Sequence, residues 1–263
     1  MKIGIVGLGI IGSACKFGFE KLGHKVLVHD VRLDTKLEDL LSTSITYICV
    51  PTPSNEDGSC DVSIVESVIN DLKQLEYKGA IAIKSTVKPT TTQKLIDETG
   101  LEICFVPEFL RERCAITDFT ENHNLLAIGT EDKKIFNLVK KCHGNYPKNV
   151  VMMKPTEAEL LKYYSNVFNA VKITFANEMY EICQALNVDY FNIKDAFVKR
   201  ETTKDFYLDV NENLRGYAGM CLPKDTKALD SLVKELNLDL KLFEVIDQEN
   251  DKFIKTVFNG MRL

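Results

Sequence analysis

A chain of 263 residues, 45% hydrophobic and 27% charged, has the material for one large or two modest packed domains and the composition of an ordinary globular protein. A net charge of −5 with no basic run argues against a nucleic-acid partner. The first fourteen residues are apolar but hold four glycines and lead into a charged helix, a poor fit to a signal peptide or a membrane span.

Residues 1–155 alternate short apolar runs with amphipathic segments. Strands are expected at Lys2–Val6, Lys25–His29, Tyr47–Val50, Ala80–Lys84, Glu102–Val106, Leu125–Ile128 and Val150–Met153. Helical patterns intervene, among them Ile10–Leu22, Ser63–Leu75 and Asp132–Cys142. Such alternation predicts an α/β, Rossmann-like, doubly wound and mostly parallel sheet covered on both faces.

From Thr156 only helical signals remain, so domains are expected at 1–155 and 156–263. Thr156-Glu-Ala-Glu159 reads as a capping box, in which Glu159 would return to the helix's own orphan amides. Leu160, Leu161, Tyr164, Val167, Phe168, Val171, Phe175, Met179, Ile182 and Leu186 then continue at helical spacing. A helix of roughly 30 residues is about 45 Å long, too long for one small domain to cover. It is expected to cross between domains or to form a dimer core over residues 156–186. Shorter helices are expected at Tyr190–Lys199, Thr226–Glu235 and Leu240–Val257. The eight cysteines show no CxxC pair or Cys/His cluster, so no metal site is expected. Most should be reduced and buried, as in a cytoplasmic protein.

Gly7-Leu-Gly9-Ile10-Ile11-Gly12 stands where the first strand meets the first helix. Gly7 permits a tight turn, Gly9 lets the backbone approach a pyrophosphate, and Gly12 lets helix and strand pack closely. The helix N-terminus offers unpaired N–H groups to phosphates. The second strand ends at Asp30, where a ribose diol would be bound. A carboxylate there favours NAD over NADP, and nearby Arg32 softens the preference.

Gly216-Tyr-Ala-Gly-Met-Cys221-Leu-Pro-Lys-Asp225 places a thiol on a turn of small residues, with Lys224 and Asp225 immediately after. A neighbouring ammonium favours the thiolate, the nucleophilic form of cysteine. Lys162 and Asn166 share a helix face at i, i+4. Beside a substrate hydroxyl they could stabilise an oxyanion, although such a pair more often faces solvent.

With these residues the chain resembles the UDP-glucose/GDP-mannose dehydrogenase family. The resemblance is carried, in order, by the opening glycine fingerprint, Val50-Pro-Thr52-Pro53, Lys84-Ser-Thr86-Val87, Pro107-Glu108-Phe-Leu110, Lys162 with Asn166 and Asn177-Glu178, and Gly219-Met-Cys221-Leu-Pro-Lys-Asp225-Thr226. The last run is most like bacterial UDP-glucose 6-dehydrogenases. The resemblance implies an NAD-dependent four-electron oxidation of a nucleotide sugar, UDP-glucose by preference, through a thioester on Cys221. Lys162, Asn166 and a water near Thr86 and Asp225 would manage the proton and the developing charge, and Asp225 would orient Lys162. Glu108 would assist hydrolysis. Thr52, Pro53 and Thr86 would join Gly7, Gly9, Ile10, Ile11, Gly12 and Asp30 around the cofactor.

Val106, Arg113 and Ala218 depart from residues frequent in the family. Family members usually carry a third, nucleotide-binding domain, and this chain stops at Leu263. The expectation is therefore one half of a split enzyme with a separate C-terminal nucleotide-binding chain, a compact enzyme closed by a dimer partner, or a weakly active remnant. Two other readings stand beside the leading one: a two-electron β-hydroxyacid-type dehydrogenase that needs no thiol, and a non-catalytic NAD-binding or dimerising module.

Overall fold

The computed structural model describes residues 1–254 and 256, and the chain separates into two compact units. The first comprises Met1–Asn55 and Cys60–Lys162; the second comprises Glu56–Ser59 and the chain from Tyr163 onward.

Seven strands form the sheet of the first unit: β1 (Lys2–Val6), β2 (Lys25–His29), β3 (Ile45–Ile48), β4 (Ala80–Ile83), β5 (Ile103–Phe105), β6 (Leu125–Gly129) and β7 (Asn149–Met153). Their order is β2-β1-β3-β4-β5-β6-β7, and every neighbouring pair is parallel except β5 with β6. The mostly parallel α/β sheet expected from the sequence is present. Alternate strand residues enter two separate cores. Ile3, Ile5, Ile45, Tyr47, Ala80 and Ala82 pack on one face; Val6, Ile48, Ile81, Ile83 and Phe105 pack on the other. Burial on both faces explains why these strands read as unbroken apolar runs.

Five helices flank or follow these strands: α1 (Ile10–Lys21), α2 (Ser63–Gln74), α3 (Thr91–Thr99), α4 (Ala115–Thr120) and α5 (Lys133–His143). A sixth, α6 (Pro155–Ala185), begins in the first unit and continues unbroken into the second. The third strand lies two residues earlier than the expected Tyr47–Val50, because pairing with β1 starts at Ile3↔Ile45. Thr46 concealed it: its buried hydroxyl hydrogen-bonds the Tyr77 hydroxyl at 2.9 Å, so a polar residue occupies a core position.

The expected capping box at Thr156–Glu159 is corrected. The helix starts at Pro155, and Glu157 accepts from the Lys154 amide at 2.8 Å. Glu159 is fully buried and serves another helix, accepting from the amides of Thr90 at 2.6 Å and Thr92 at 2.8 Å at the start of α3. A carboxylate at a helix N-terminus satisfies orphan donors and meets the positive end of the helix dipole.

In the second unit α6 is followed by α7 (Tyr190–Phe197), α8 (Leu222–Glu235) and α9 (Leu242–Asp251). Helix α8 begins at Leu222, four residues before the expected Thr226, because Pro223 is tolerated in a first turn that needs no amide donor. The expected helix Leu240–Val257 is shorter at both ends, and Val257 lies outside the described residues. Among the described residues no helix is long and apolar enough to cross a membrane.

Replacing Glu159 by Ala strips a buried acceptor from two amides, and should lower the unfolding free energy by about 2 kcal/mol in denaturant titration. Glu159→Gln should lose roughly half of that, because it keeps one acceptor. Equal stability of the Ala variant and the parent would contradict the capping role.

Candidate active site

The order of strands reverses beside β1, where the loops leaving neighbouring strands diverge and leave a crevice. Gly7 sits there at φ +90°, and a Cβ on it would stand 2.6 Å from the Cys49 carbonyl oxygen. A Cβ on Gly12 would stand 2.0 Å from the Gly7 carbonyl oxygen. Both glycines are demanded by the protein itself. Gly9 differs: beyond its chain neighbours, a Cβ there would meet no atom of the described residues within 4 Å. It is the N-cap of α1 and places no side chain over the helix end, and the first turn carries no acidic residue. Open space above a bare helix N-terminus fits a dinucleotide pyrophosphate. Ile10 and Ile11 form the first turn, with Ile10 about half exposed.

The other expected cofactor residues follow strand ends of the same sheet. Asp30 follows β2 and is nearly fully buried; its carboxyl is held far below the ordinary range, first by Arg32 and then by the Leu8 amide. Thr52, buried, and Pro53, exposed, follow β3. Thr86, half-buried, follows β4, and its carbonyl accepts from the Cys60 thiol at 3.4 Å. The Ser85 hydroxyl donates to the Val50 carbonyl at 2.7 Å and ties the ends of β3 and β4 together.

Glu108 follows β5 and is joined to Lys162. The Lys162 ammonium donates to the Glu108 carboxylate and to the Glu108 carbonyl, each at 2.8 Å, with both residues buried. Burial pushes the Glu108 carboxyl up, but Lys162, the Leu110 amide and Lys84 outweigh it and hold it below the usual range. Glu108 is therefore ionised around neutrality.

In the second unit the Asn166 amide donates to Asp225 Oδ2 at 2.6 Å, and Asp225 is fully buried. Lys224 Nζ lies 2.9 Å from Asp225 Oδ1 as an ion pair, off the direction of a hydrogen bond. Asp225 thus draws both Asn166 and Lys224 towards its carboxylate. Cys221 is the N-cap of α8, and its carbonyl accepts the Asp225 amide at 2.9 Å. It is the one exposed cysteine of the eight. The others are buried or half-buried; burial pushes the Cys142 thiol up to about 11, which suits a structural role.

Two asparagines hold the loop that leads to Cys221. Asn177 on α6 accepts from Arg215 Nε at 2.9 Å and from the Gly216 amide at 3.1 Å. Asn250 on α9 clamps Tyr217, accepting its amide at 2.8 Å and donating to its carbonyl at 3.0 Å. Arg215 lies between the rings of Tyr180 and Phe253, about 5 Å from each centroid, and also pairs with Glu181. Sequence reasoning noted Asn177 without a role and missed Asn250. The available signal was a polar residue one helical turn beyond Ile246, on the buried face of α9.

Two profiles of one family match this chain. Residues 32–146 match the UDP-glucose/GDP-mannose dehydrogenase family NAD binding domain, and residues 156–252 match the central domain of the same family. The chain belongs to the UDP-glucose/GDP-mannose dehydrogenase family. A UDP-glucose 6-dehydrogenase from Haloferax volcanii is 27% identical over 95% of this chain and 70% of its own length. A GDP-mannose 6-dehydrogenase from Pseudomonas syringae pv. tomato is 26% identical over 98% of this chain and 70% of its own length. The structure of a UDP-glucose dehydrogenase from Pyrobaculum islandicum superposes with a TM-score of 0.87 at 28% identity, covering 95% of this chain and 68% of that one.

As a member of this dehydrogenase family the chain is an NAD-dependent oxidoreductase acting on CH–OH groups. The NAD-binding segment contains Thr52, Pro53, Thr86 and Glu108, and the central-domain segment contains Lys162, Asn166, Cys221 and Asp225.

The buried Glu108–Lys162 pair yields a thermodynamic prediction. Lys162→Ala should cost about 3 kcal/mol at pH 8, because an unpaired buried carboxylate remains. In the parent the Glu108 carboxyl is held below its ordinary 4.5, so the pair stabilises fully above that pH and fades below it. The deficit of Lys162→Ala should accordingly grow as pH rises, and adding Glu108→Gln should restore most of it. A pH-independent deficit, or additive single effects, would contradict the pairing.

Proposed function

We propose that this chain oxidises the primary alcohol of a nucleotide sugar, UDP-glucose in the first instance, to the carboxylate through a thioester on Cys221. The observation that carries the reading is the single exposed cysteine at the N-terminus of α8, followed directly by Lys224 and the buried Asp225. A two-electron alcohol oxidation needs no such thiol. Bound NAD supplies the hydride acceptor, used twice per sugar.

In the residue roles we propose, Lys162 and Asn166 stabilise the oxygen of the reacting alcohol as its proton leaves, with Thr86 and Asp225 holding the water that receives it. The Cys221 sulfur adds to the resulting aldehyde carbon to give a thiohemiacetal. Loss of a second hydride leaves a thioester. Glu108 orients a water that attacks the thioester carbonyl; the carbon–sulfur bond breaks, and the carboxylate and the thiol are released. Overall, one alcohol, two NAD and one water give one carboxylate, two NADH and three protons. Glu108 suits this task because Lys162 keeps it ionised and fixed in orientation. The uridine and glucose specificity rests on the relatives named above, among which GDP-mannose enzymes also occur.

We also propose that a second copy covers α6. Leu160, Tyr164, Phe168, Phe175, Ile182 and Leu186 are exposed, lie along one stripe, and Tyr164 stacks on Phe168. An apolar stripe running the length of a 31-residue helix is the kind of surface that homodimers bury. Light scattering should return twice the chain mass, and Phe168→Glu should return the chain mass. A monomeric parent would refute the dimer.

The reaction is tested by counting NADH formed per UDP-glucose consumed. Two are expected, with Cys221→Ser losing at least about a thousandfold in turnover. One NADH per sugar with Cys221→Ser unimpaired would favour a two-electron dehydrogenase. NAD binding with no NADH from any nucleotide sugar, even with a separate C-terminal nucleotide-binding chain supplied, would favour a non-catalytic module.

A further inference from the structure

The Asp30 carboxylate is already saturated. Its Oδ1 accepts from the Arg32 amide and from Arg32 Nε, each at 2.9 Å; its Oδ2 accepts from the Leu8 amide at 2.6 Å and from Arg32 Nη2 at 3.0 Å. A carboxylate has about four acceptor positions, and all are filled. A ribose diol can be taken by Asp30 only if the guanidinium gives way.

Arg32 is held where it stands by a closed turn. The Leu33 amide donates to the Asp30 carbonyl at 2.9 Å, and the Asp30 amide to the Thr35 hydroxyl at 3.2 Å. Arg32 Nη2 also donates to the Leu8 carbonyl at 3.2 Å, which ties the side chain to the glycine loop. The side chain is nevertheless 70% exposed, and among the described residues nothing takes the two N–H groups of Nη1. The end of β2 therefore presents a neutralised carboxylate and a planar fork with donors to spare, not a bare negative charge.

The selectivity of such sites is electrostatic at this point. An acidic residue after the second strand binds the 2′-hydroxyl of NAD and repels the 2′-phosphate of NADP, whereas a nearby arginine accommodates the phosphate. Guanidinium–phosphate pairs are charge-assisted, and the two N–H groups of Nη1 can donate to a phosphate while Nε and Nη2 stay on Asp30, so the end of β2 suits a phosphate better than a diol. We propose that Arg32 makes this site permissive, so that the chain binds NADP as well as NAD, with Arg32 donating to the 2′-phosphate. The inference rests on the dinucleotide reading of the glycine loop and extends it.

Calorimetric titration of the full chain with NAD and with NADP tests it without any turnover. The parent should bind the two within about tenfold of each other, with NADP affinity falling more steeply as salt is raised. Arg32→Ala, at an exposed position, should weaken NADP, tighten NAD by freeing Asp30, and widen the ratio by at least about tenfold. Arg32→Lys should fall between them, keeping the charge but losing the fork. A parent that binds NAD but excludes NADP by about a hundredfold or more would overturn the inference and leave the NAD reading standing. An unchanged ratio in Arg32→Ala would also overturn it. Failure to bind either dinucleotide would remove both readings.

Discussion

A parallel strand must be entered from the same end as its neighbour, so each crossover returns the chain to one edge and the strands finish together at the other. In the first unit this constraint gathers the glycine loop after β1, Asp30 after β2, Thr52 after β3 and Thr86 after β4. Glu108 joins them after β5, which is parallel to β4. The residues lie far apart in sequence and share no local signal. What unites them is the topology, and the topology follows from β-branched runs buried on both faces.

Buried charge has to be paired, and each unit does so by itself: Glu108 with Lys162 in the first, and Asp225 with Asn166 and Lys224 in the second. Each fixes its donors in orientation before any substrate arrives, which is where most electrostatic catalysis originates. The arrangement has a chemical cost. A carboxylate held ionised by an ammonium is a weaker base than a solitary buried one, so Glu108 is suited to orienting water more than to abstracting a resistant proton.

The glycine fingerprint, the alternating strands and the long helix were legible because each is a local pattern. Gly7 and Gly12 can be assigned from spacing, and their close backbone contacts explain it. The start of α8 was not legible, because Pro223 reads as a turn until it is seen to occupy a helix's first turn. Glu159 carried the right chemistry to the wrong place: it caps a helix, but one whose start lies 69 residues upstream. Asn250 and the saturation of Asp30 by Arg32 depend on pairings that only the folded chain specifies. Cys221 is marked in the sequence by its turn of small residues and by Lys224 and Asp225 directly after it, and the fold adds that it alone among the cysteines is exposed.

The central claim is a covalent bond between sugar carbon and the Cys221 sulfur, and the most direct test is to trap it. Glu108→Gln keeps an oxygen for Lys162 to donate to but slows hydrolysis, so the acyl form should accumulate with UDP-glucose and NAD. Intact mass followed by peptide mapping should place a uronyl-nucleotide adduct on the peptide containing Cys221, labile to hydroxylamine as a thioester is. Turnover in the parent with no adduct in this variant, or an adduct on any other cysteine, would contradict the account.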